Sequence, residues 1–307
     1  MADSPRPKSA RLTTADFHPE VLRLFDQYVH GAIDRRAFLS GAGRFAVGAM
    51  TATGLLAALT PRFVEARQVE PDDARIATSF VEFDSPQGHG RGRGYLARPA
   101  QAAGPLPAVL VIHENRGLNP HIEDVARRFA LAGYIAFAPD ALFPLGGYPG
   151  DEDAARAKFA TLDAEKSRAD FLAAADVVAK VDGGNGRWGA TGFCWGGGMT
   201  NFLATRRPDL AAAAPFYGPG PAELADVAKI RAELLLVLAA EDPRVNAGIP
   251  AYRAALDAAG VRYFIYQPPG TQHGFHNDTT PRFDEAAAKE AWNRTLMLFG
   301  RRLKAAA

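Results

Sequence analysis

A cysteine between glycines is the first feature of the sequence that could do chemistry. Cys194 is the only cysteine among 307 residues and lies in the pattern G-x-C-x-G, between Gly192 and Gly196. Glycines at these positions permit the sharp strand-to-helix turn that presents a nucleophile to a cleft. A free cysteine can also be a small buried hydrophobe where glycines let a strand and a helix pack closely. The pattern alone leaves both interpretations open.

Two more residues with suitable chemistry follow Cys194 along the chain. Asp242 lies in "AAEDPRV" and His273 in "PPGTQHGFH", each after a predicted strand. The chain order nucleophile, acid, base is the one that α/β-hydrolases use. Taken singly, Asp242 could form a turn or cap a helix and His273 could be a surface loop residue. Together they predict a triad in which His273 takes the thiol proton and Asp242 fixes its tautomer.

The segment "VIHENRGLNP" supplies the remaining site candidates. The loop after this strand provides an oxyanion-hole amide in α/β-hydrolases, so we expect the backbone N–H groups of Asn115 and Trp195 to form the oxyanion hole. Glu114 could accept a hydrogen bond from the thiol or serve as an alternative proton acceptor. It could instead pair with Arg116 or His113 and only hold the loop.

The elements that must position these residues alternate along the chain. From Ala74 onward, apolar runs of strand length alternate with stretches of helical length, after an opening antiparallel hairpin at 78–83 and 92–99. A long alanine-rich helix is predicted within 151–180. This alternation predicts an α/β fold of the α/β-hydrolase type, with a mainly parallel sheet covered by helices on both faces. Ligands bind such sheets beyond the carboxyl ends of the strands, where the candidate residues lie.

The site segments resemble those of a known family. Cys194 in "GFCWGG", Asp242, His273 in "QHGFHN" and Glu114 in "HENRGL" are together similar to the dienelactone hydrolases (carboxymethylenebutenolidases). The resemblance extends from about Ala74 to the C-terminus. It implies that Glu114 partners Cys194 and draws off the thiol proton when substrate binds, so that the resting thiol is largely neutral. It also implies that Cys194 opens an enol-lactone as an acyl-enzyme, which water releases.

The sequence departs from this family where the substrate carboxylate is held. The arginine that the family carries four residues after the catalytic histidine is Asn277 here, and neither Arg156 nor Lys158 clearly matches the family's other carboxylate-binding residues. An arginine–carboxylate pair is a strong, charge-assisted interaction. Without it, we expect a small activated ester or lactone as substrate, with little preference for a carboxylate.

Two other functions fit the same residues. An acyltransferase or thioesterase would use the same acyl-enzyme, and a non-enzymatic redox sensor would merely oxidise its thiol. No cofactor or metal is predicted: His273 and His276 have no third ligand at a recognisable spacing. The net charge of +1 gives no basic field for nucleic acid. The predicted partner is therefore a small molecule.

Residues 1–73 differ from the predicted hydrolase domain, residues 74–307. Arg35–Arg36, an apolar run at 45–59 and small residues near 64–66 resemble a twin-arginine signal, which predicts export to the periplasm or outside the cell. The apolar run is too short for a stable membrane span. The alternative is an uncleaved, cytoplasmic helical extension packed on the body or a second subunit, because residues 18–33 form an amphipathic pattern.

Overall fold

The computed structural model describes residues 11–46 and 51–304. These residues form one eight-stranded sheet with helices on both faces, preceded by a group of short helices. The strands are β1 (Ile76–Ser85), β2 (Gly90–Pro99), β3 (Leu106–Ile112), β4 (Ile135–Pro139), β5 (Gly184–Phe193), β6 (Ala212–Phe216), β7 (Glu233–Val237) and β8 (Tyr263–Tyr266). The helices are α1 (Pro19–Val29), α2 (Arg35–Ala42), α3 (Ala52–Leu59), α4 (Phe63–Ala66), α5 (Pro120–Leu131), α6 (Glu152–Phe159), α7 (Ala164–Ala179), α8 (Trp195–Arg206), α9 (Pro243–Asn246), α10 (Ile249–Ala258) and α11 (Glu285–Leu303).

The strand order confirms the predicted α/β-hydrolase fold. The strands lie in the order β1-β2-β4-β3-β5-β6-β7-β8. β1 and β2 form the expected antiparallel hairpin, β2 pairs antiparallel with β4, and the remaining pairs are parallel. In the register, Phe193 at the end of β5 pairs with Phe216 at the end of β6, and Phe216 pairs with Val237 of β7. The loops that follow these strands therefore meet at one edge of the sheet.

The central strands are buried because helices cover both of their faces. β4, β6 and β7 are buried along their whole length, as expected for continuous apolar runs in a parallel sheet. The predicted long helix within 151–180 is divided into α6 and α7. Asp163 begins α7 by accepting hydrogen bonds from the backbone N–H groups of Glu165 and Lys166, at 2.9 and 3.0 Å.

The helices before β1 pack against the sheet domain. We call residues 11–46 and 51–66 the N-terminal cap; it has its own apolar core, with Phe38 fully buried and Phe25 nearly so. The amphipathic pattern at 18–33 contains α1, whose C-terminal end hydrogen-bonds the sheet domain through Asn115. Residues 1–10 and 47–50 lie outside the described part, so the apolar run is described only in part. Within the described residues, no helix combines the length and apolar character needed to cross a bilayer. Export stays a prediction.

Candidate active site

Cys194 lies on a sharp turn between β5 and α8. Its backbone has φ 56° and ψ −113°, a left-handed conformation that is strained for a residue with a side chain. The two glycines of the motif permit the turn. A Cβ on Gly192 would lie 2.2 Å from the Gly196 carbonyl oxygen, and a Cβ on Gly196 would lie 2.5 Å from the carbonyl oxygens of Ile112 and His113. The G-x-C-x-G pattern thus forms the sharp strand-to-helix turn that it predicts.

Backbone pairing after β7 and β8 brings Asp242 and His273 together. The N–H of Glu241 donates to the Thr271 carbonyl at 2.9 Å, which joins the two loops. His273 Nδ1 then lies 2.5 Å from Asp242 Oδ2, and both side chains are buried. Asp242 also begins α9, accepting from the N–H of Val245 at 3.2 Å. The carboxylate is thus fixed both by the helix and by the imidazole, as a triad requires.

A third side chain meets these residues at the sulfur. Cys194 Sγ, a ring nitrogen of His273 and a ring nitrogen of His30 all lie within 4.8 Å of one another. His30 Nε2 is 3.5 Å from the sulfur. Sequence reasoning did not identify His30. The one signal was the amphipathic pattern of α1, which predicted a packed helix but not what it touches.

The electrostatics of the three groups favour an ionised sulfur. Burial raises the pKa of the Cys194 thiol, but the positive charge of His273, together with the hydrogen bond and charge of His30, outweighs it and lowers the pKa to about 5. Burial lowers the pKa of His30, but hydrogen bonds to Asp26 and Cys194 raise it to about 9. The pKa of His273 is also raised, because Cys194 and Asp242 outweigh the effect of burial. At neutral pH the site therefore favours a thiolate beside an imidazolium, whereas the family resemblance implied a neutral resting thiol.

Glu114 lines the same cavity but is bonded to another partner. Asn277 Nδ2 donates to Glu114 Oε2 at 3.0 Å, and Asn277 Oδ1 accepts from the N–H of Thr279 at 3.0 Å. Among the described residues, the side chain that hydrogen-bonds Cys194 Sγ is His30, not Glu114. The residue that replaces the family's arginine therefore orients Glu114. A role for Glu114 in accepting the thiol proton stays a prediction.

The two residues predicted to form the oxyanion hole are neighbours of Cys194: Trp195 follows it in the chain, and Asn115 lines both cavities that Cys194 lines. The N–H of Trp195 is the first of α8, where backbone donors have no partner within the helix. Among the described residues, neither this N–H nor that of Asn115 has an acceptor. The side chain of Asn115 donates to the Val29 carbonyl of the N-terminal cap at 2.9 Å, which fixes the loop.

The two histidines that sequence reasoning set aside have packing roles. His113 is buried, stacks on Trp195 at 5.4 Å between ring centroids, and accepts from the N–H of Ala141 at 3.1 Å. His276 is buried against Phe193, with ring centroids 5.1 Å apart. Burial lowers the pKa of His276 to about 3, so it stays neutral.

Two cavities border Cys194; we call the more enclosed one the inner cavity and the other the outer cavity. The inner cavity measures about 130 Å³ and is lined by Glu114, His273 and Asn277 of the sheet domain and by residues of the N-terminal cap, His30 among them. The outer cavity measures about 340 Å³ and is lined by His30, Arg156, Trp195 and Arg244 among others.

Neither Arg156 nor Lys158 is directed to a substrate carboxylate. The Arg156 guanidinium donates to the Tyr28 carbonyl at 2.5 Å and lies 3.9 Å from the centre of the Tyr28 ring. Lys158 Nζ donates to the Leu145 carbonyl at 2.9 Å. Arg156 is therefore used to hold the N-terminal cap.

Comparison with known proteins matches both parts of the chain to family models. The model of the dienelactone hydrolase family matches residues 93–303, and a model described as YqhI-like matches residues 8–47. "Putative hydrolase fragment YghX" of Escherichia coli K12 is 56% identical over 107 residues, which are 35% of this chain and 92% of that protein.

Two longer matches cover most of the sheet domain. "Putative carboxymethylenebutenolidase" of E. coli K12 is 35% identical over 243 residues, covering 75% of this chain and 88% of that protein. The crystal structure titled "Putative Dienelactone Hydrolase" from Klebsiella pneumoniae is 30% identical and matches with a TM-score of 0.65, covering 73% of this chain and 99% of that one. With the strand order and the elbow, these matches show that the chain belongs to the dienelactone hydrolase family and is an ester- or lactone-cleaving hydrolase.

Proposed function

We propose that the protein hydrolyses a small activated ester or lactone through a Cys194–His273–Asp242 triad and an acyl-enzyme. The observation that carries the proposal is the convergence at one sheet edge of three groups from separate loops. A sulfur on a strained elbow faces an imidazole whose other nitrogen is held 2.5 Å from a buried carboxylate. That arrangement supports a nucleophile with a positioned proton carrier.

Acylation begins with attack of the Cys194 thiolate on the carbonyl carbon. The developing oxyanion accepts hydrogen bonds from the N–H groups of Asn115 and Trp195. When the tetrahedral intermediate collapses, the carbon–oxygen bond to the leaving group breaks and the His273 imidazolium donates its proton to the departing oxygen. The product of this half-reaction is a thioester on Cys194 and a free alcohol or enol.

Deacylation uses the same groups in the opposite sense. Neutral His273 takes a proton from water as the water oxygen attacks the thioester, and Asp242 stabilises the imidazolium that forms. The carbon–sulfur bond then breaks, which releases the carboxylic acid and restores the thiolate. Glu114 is a second candidate proton acceptor, because it lines the same cavity.

Cavity size and leaving-group chemistry limit the substrate. The inner cavity of about 130 Å³ is smaller than the ~150 Å³ apolar cavity that holds a benzene molecule, and its lining includes Glu114, Arg116 and Asn277, so we expect it to receive a small, polar acyl group. A thiolate leaves a tetrahedral intermediate more readily than an alkoxide does. With a stable leaving group, as in phenyl esters and enol lactones, the tetrahedral intermediate therefore expels that group and forms the thioester. With a simple alkyl ester it expels the thiolate instead and returns to substrate.

The test compares wild type with Cys194→Ala and Cys194→Ser on p-nitrophenyl acetate. We expect wild type to show an initial burst of one p-nitrophenolate per protein when acylation outpaces hydrolysis, and one acetyl group on Cys194 by mass spectrometry. Cys194→Ala should lose both the turnover and the adduct. Persistence of turnover in that variant would show that Cys194 is not the nucleophile. A rate gain with added alcohol or thiol would favour the acyltransferase alternative.

A further inference from the structure

We propose that His30, carried by the N-terminal cap, is a second histidine of the active site, whose imidazolium holds Cys194 as a thiolate between turnovers. The inference rests on the proposed role of Cys194 as nucleophile. It adds a group to the catalytic centre that lies in the sequence far outside the hydrolase domain. It also makes the N-terminal cap part of the enzyme.

The end of α1 orients the imidazole of His30. The helix ends at Val29, and Gly31 follows His30 with φ 78°, a conformation that stops the helix there. His30 Nδ1 lies 2.7 Å from the Asp26 carbonyl oxygen and 3.2 Å from Asp26 Oδ1. The Nδ1 proton is therefore held on the Asp26 side, and Nε2 faces the sulfur at 3.5 Å.

Two aspartate–histidine pairs thus converge on one sulfur. Asp242 and His273 approach from the sheet domain, and Asp26 and His30 approach from the N-terminal cap. The two imidazole rings meet edge to face, with centroids 4.7 Å apart. Each histidine has one nitrogen on an aspartate and the other directed at Cys194, the arrangement that fixes a histidine's tautomer and raises its basicity.

The sheet domain contacts α1 mainly at the C-terminal end of the helix. The last carbonyl groups of a helix have no partner within it, and the negative end of the helix dipole favours cations. Here the Val29 carbonyl accepts from Asn115 Nδ2 at 2.9 Å and from Arg116 Nη2 at 3.3 Å, while the Tyr28 carbonyl accepts from Arg156. Groups beside the elbow therefore hold the helix that carries His30.

Side chains on either side of this helix end add to the docking. The Tyr28 hydroxyl donates to Asp153, which also forms an ion pair with Arg35 at 2.8 Å. Arg282 lies 3.8 Å from Asp26 and 5.2 Å from the centre of the Phe25 ring. Because these polar contacts are directional, they fix where His30 lies relative to Cys194 and do not merely hold the N-terminal cap nearby.

The charges that face His30 decide whether it is protonated. Asp26 and the sulfur favour the imidazolium, whereas the neighbouring positive charges of Arg244 and of a protonated His273 disfavour it by repulsion. Arg244 Nη2 lies 3.0 Å from His30 Nε2, but this side chain is exposed, so water screens its charge. Asp26 and Cys194 are more buried, which supports a raised pKa for His30.

The sulfur itself faces further charged groups. Arg116 lies near enough to interact with the thiolate, and Glu114 lines the same cavity. Arg282 Nη1 lies 3.8 Å from Asp26 Oδ1, the carboxylate that faces His30.

The two histidines then divide the proton transfers. His30 keeps its proton throughout: the proton is shared with the thiolate at rest, stays on Nε2 while the carbon–sulfur bond exists, and is shared again when that bond breaks. His273 gives a proton to the leaving group and takes one from water. No additional reactant is needed for this cycle.

The test replaces His30 with glutamine in the full-length protein and titrates Cys194. Because the chain has one cysteine, ultraviolet thiolate absorbance and the pH dependence of iodoacetamide alkylation both report Cys194 alone. We expect a midpoint near the pKa of about 5 in wild type. In His30→Gln the Cys194 midpoint should rise by about one pH unit or more, and the acid limb of the kcat/KM profile should move to higher pH by the same amount. Below the new midpoint, kcat/KM should therefore be ~10-fold lower than in wild type.

His18→Gln is the matched control. His18 is also a histidine of the N-terminal cap, but it stacks on Phe45, at 4.2 Å between ring centroids, and does not line either cavity. The Cys194 midpoint of His18→Gln should equal that of wild type. Asp26→Asn keeps His30 and should raise the Cys194 midpoint in the same direction, so it decides the question if His30→Gln does not fold.

An unchanged midpoint in a folded His30→Gln or, failing that, Asp26→Asn would overturn the inference. It would mean that His30 Nε2 simply accepts from Arg244. This result is distinct from failure of the proposed function, which turnover by Cys194→Ala would reveal.

Discussion

The close approach of α8 to β3 at Gly196 predicts that Gly196→Ala impairs catalysis more than folding. An alanine Cβ would lie 2.5 Å from the carbonyl oxygens of Ile112 and His113, and real Cβ atoms essentially never approach other atoms closer than 3.0 Å. The start of α8 must therefore move away from β3 by about 0.5 Å, the difference between these two distances. Both clashing atoms are backbone oxygens, one on the last residue of β3 and one on the residue after it, so no side chain can rotate to relieve the contact.

Strain of this kind in a well-packed interior costs ~1–3 kcal/mol. For a domain of this size each kcal/mol lowers Tm by ~2–4 °C, so we expect a fall of ~2–12 °C. The effect on turnover should be larger, because Trp195 precedes Gly196 and its N–H is one of the two proposed oxyanion donors. Loss of one such donor lowers kcat by ~10²–10³-fold. A partial displacement should lower kcat ~10–100-fold.

Gly300→Ala provides the matched control. Gly300 lies in α11, and a Cβ there would meet nothing within 4 Å. Replacement of a helical glycine by alanine stabilises by ~0.5–1 kcal/mol where there is space, so Tm should rise slightly and kcat should not change. Thermal unfolding and p-nitrophenyl acetate kinetics measure both quantities. If Gly196→Ala kept the Tm and kcat of Gly300→Ala, the argument from the close approach would be refuted.

Three further predictions concern the acid, the substrate and the N-terminus. Asp242→Asn should lower kcat by ~10³–10⁴-fold, because the amide no longer fixes the His273 tautomer. Asp209→Asn, which changes an exposed aspartate, should leave kcat unchanged. Equal kcat values for the two variants would contradict the triad. Matched phenyl esters with and without a distal carboxylate should differ less than ~10-fold in kcat/KM, since Asn277 bonds Glu114 and Arg156 holds Tyr28; a strong preference would show that another cation binds the carboxylate. The mass of the protein isolated from its host should include the N-terminal cap if His30 serves the active site, whereas a chain beginning near residue 67 would support the cleaved twin-arginine leader.

The fold and the position of the elbow could be read from local sequence patterns. Continuous apolar runs and the glycines around Cys194 each report the burial or backbone conformation of their own segment. Because parallel strands end at a common edge, the order of Cys194, Asp242 and His273 was enough to expect them together. The sequence by itself therefore determined the α/β-hydrolase architecture and a chemically coherent set of residues.

Only the tertiary structure decided what else reaches the sulfur. His30 is 164 positions from Cys194. It arrives because the carbonyl groups that end α1 are complementary to Asn115, Arg116 and Arg156, which lie 86 to 128 positions away. Such complementarity is a property of two surfaces, and no periodicity in either segment encodes it. The same physical reason explains the pairing of Glu114 with Asn277: hydrogen-bond partners of buried polar groups are chosen by packing in three dimensions, after the local elements have formed.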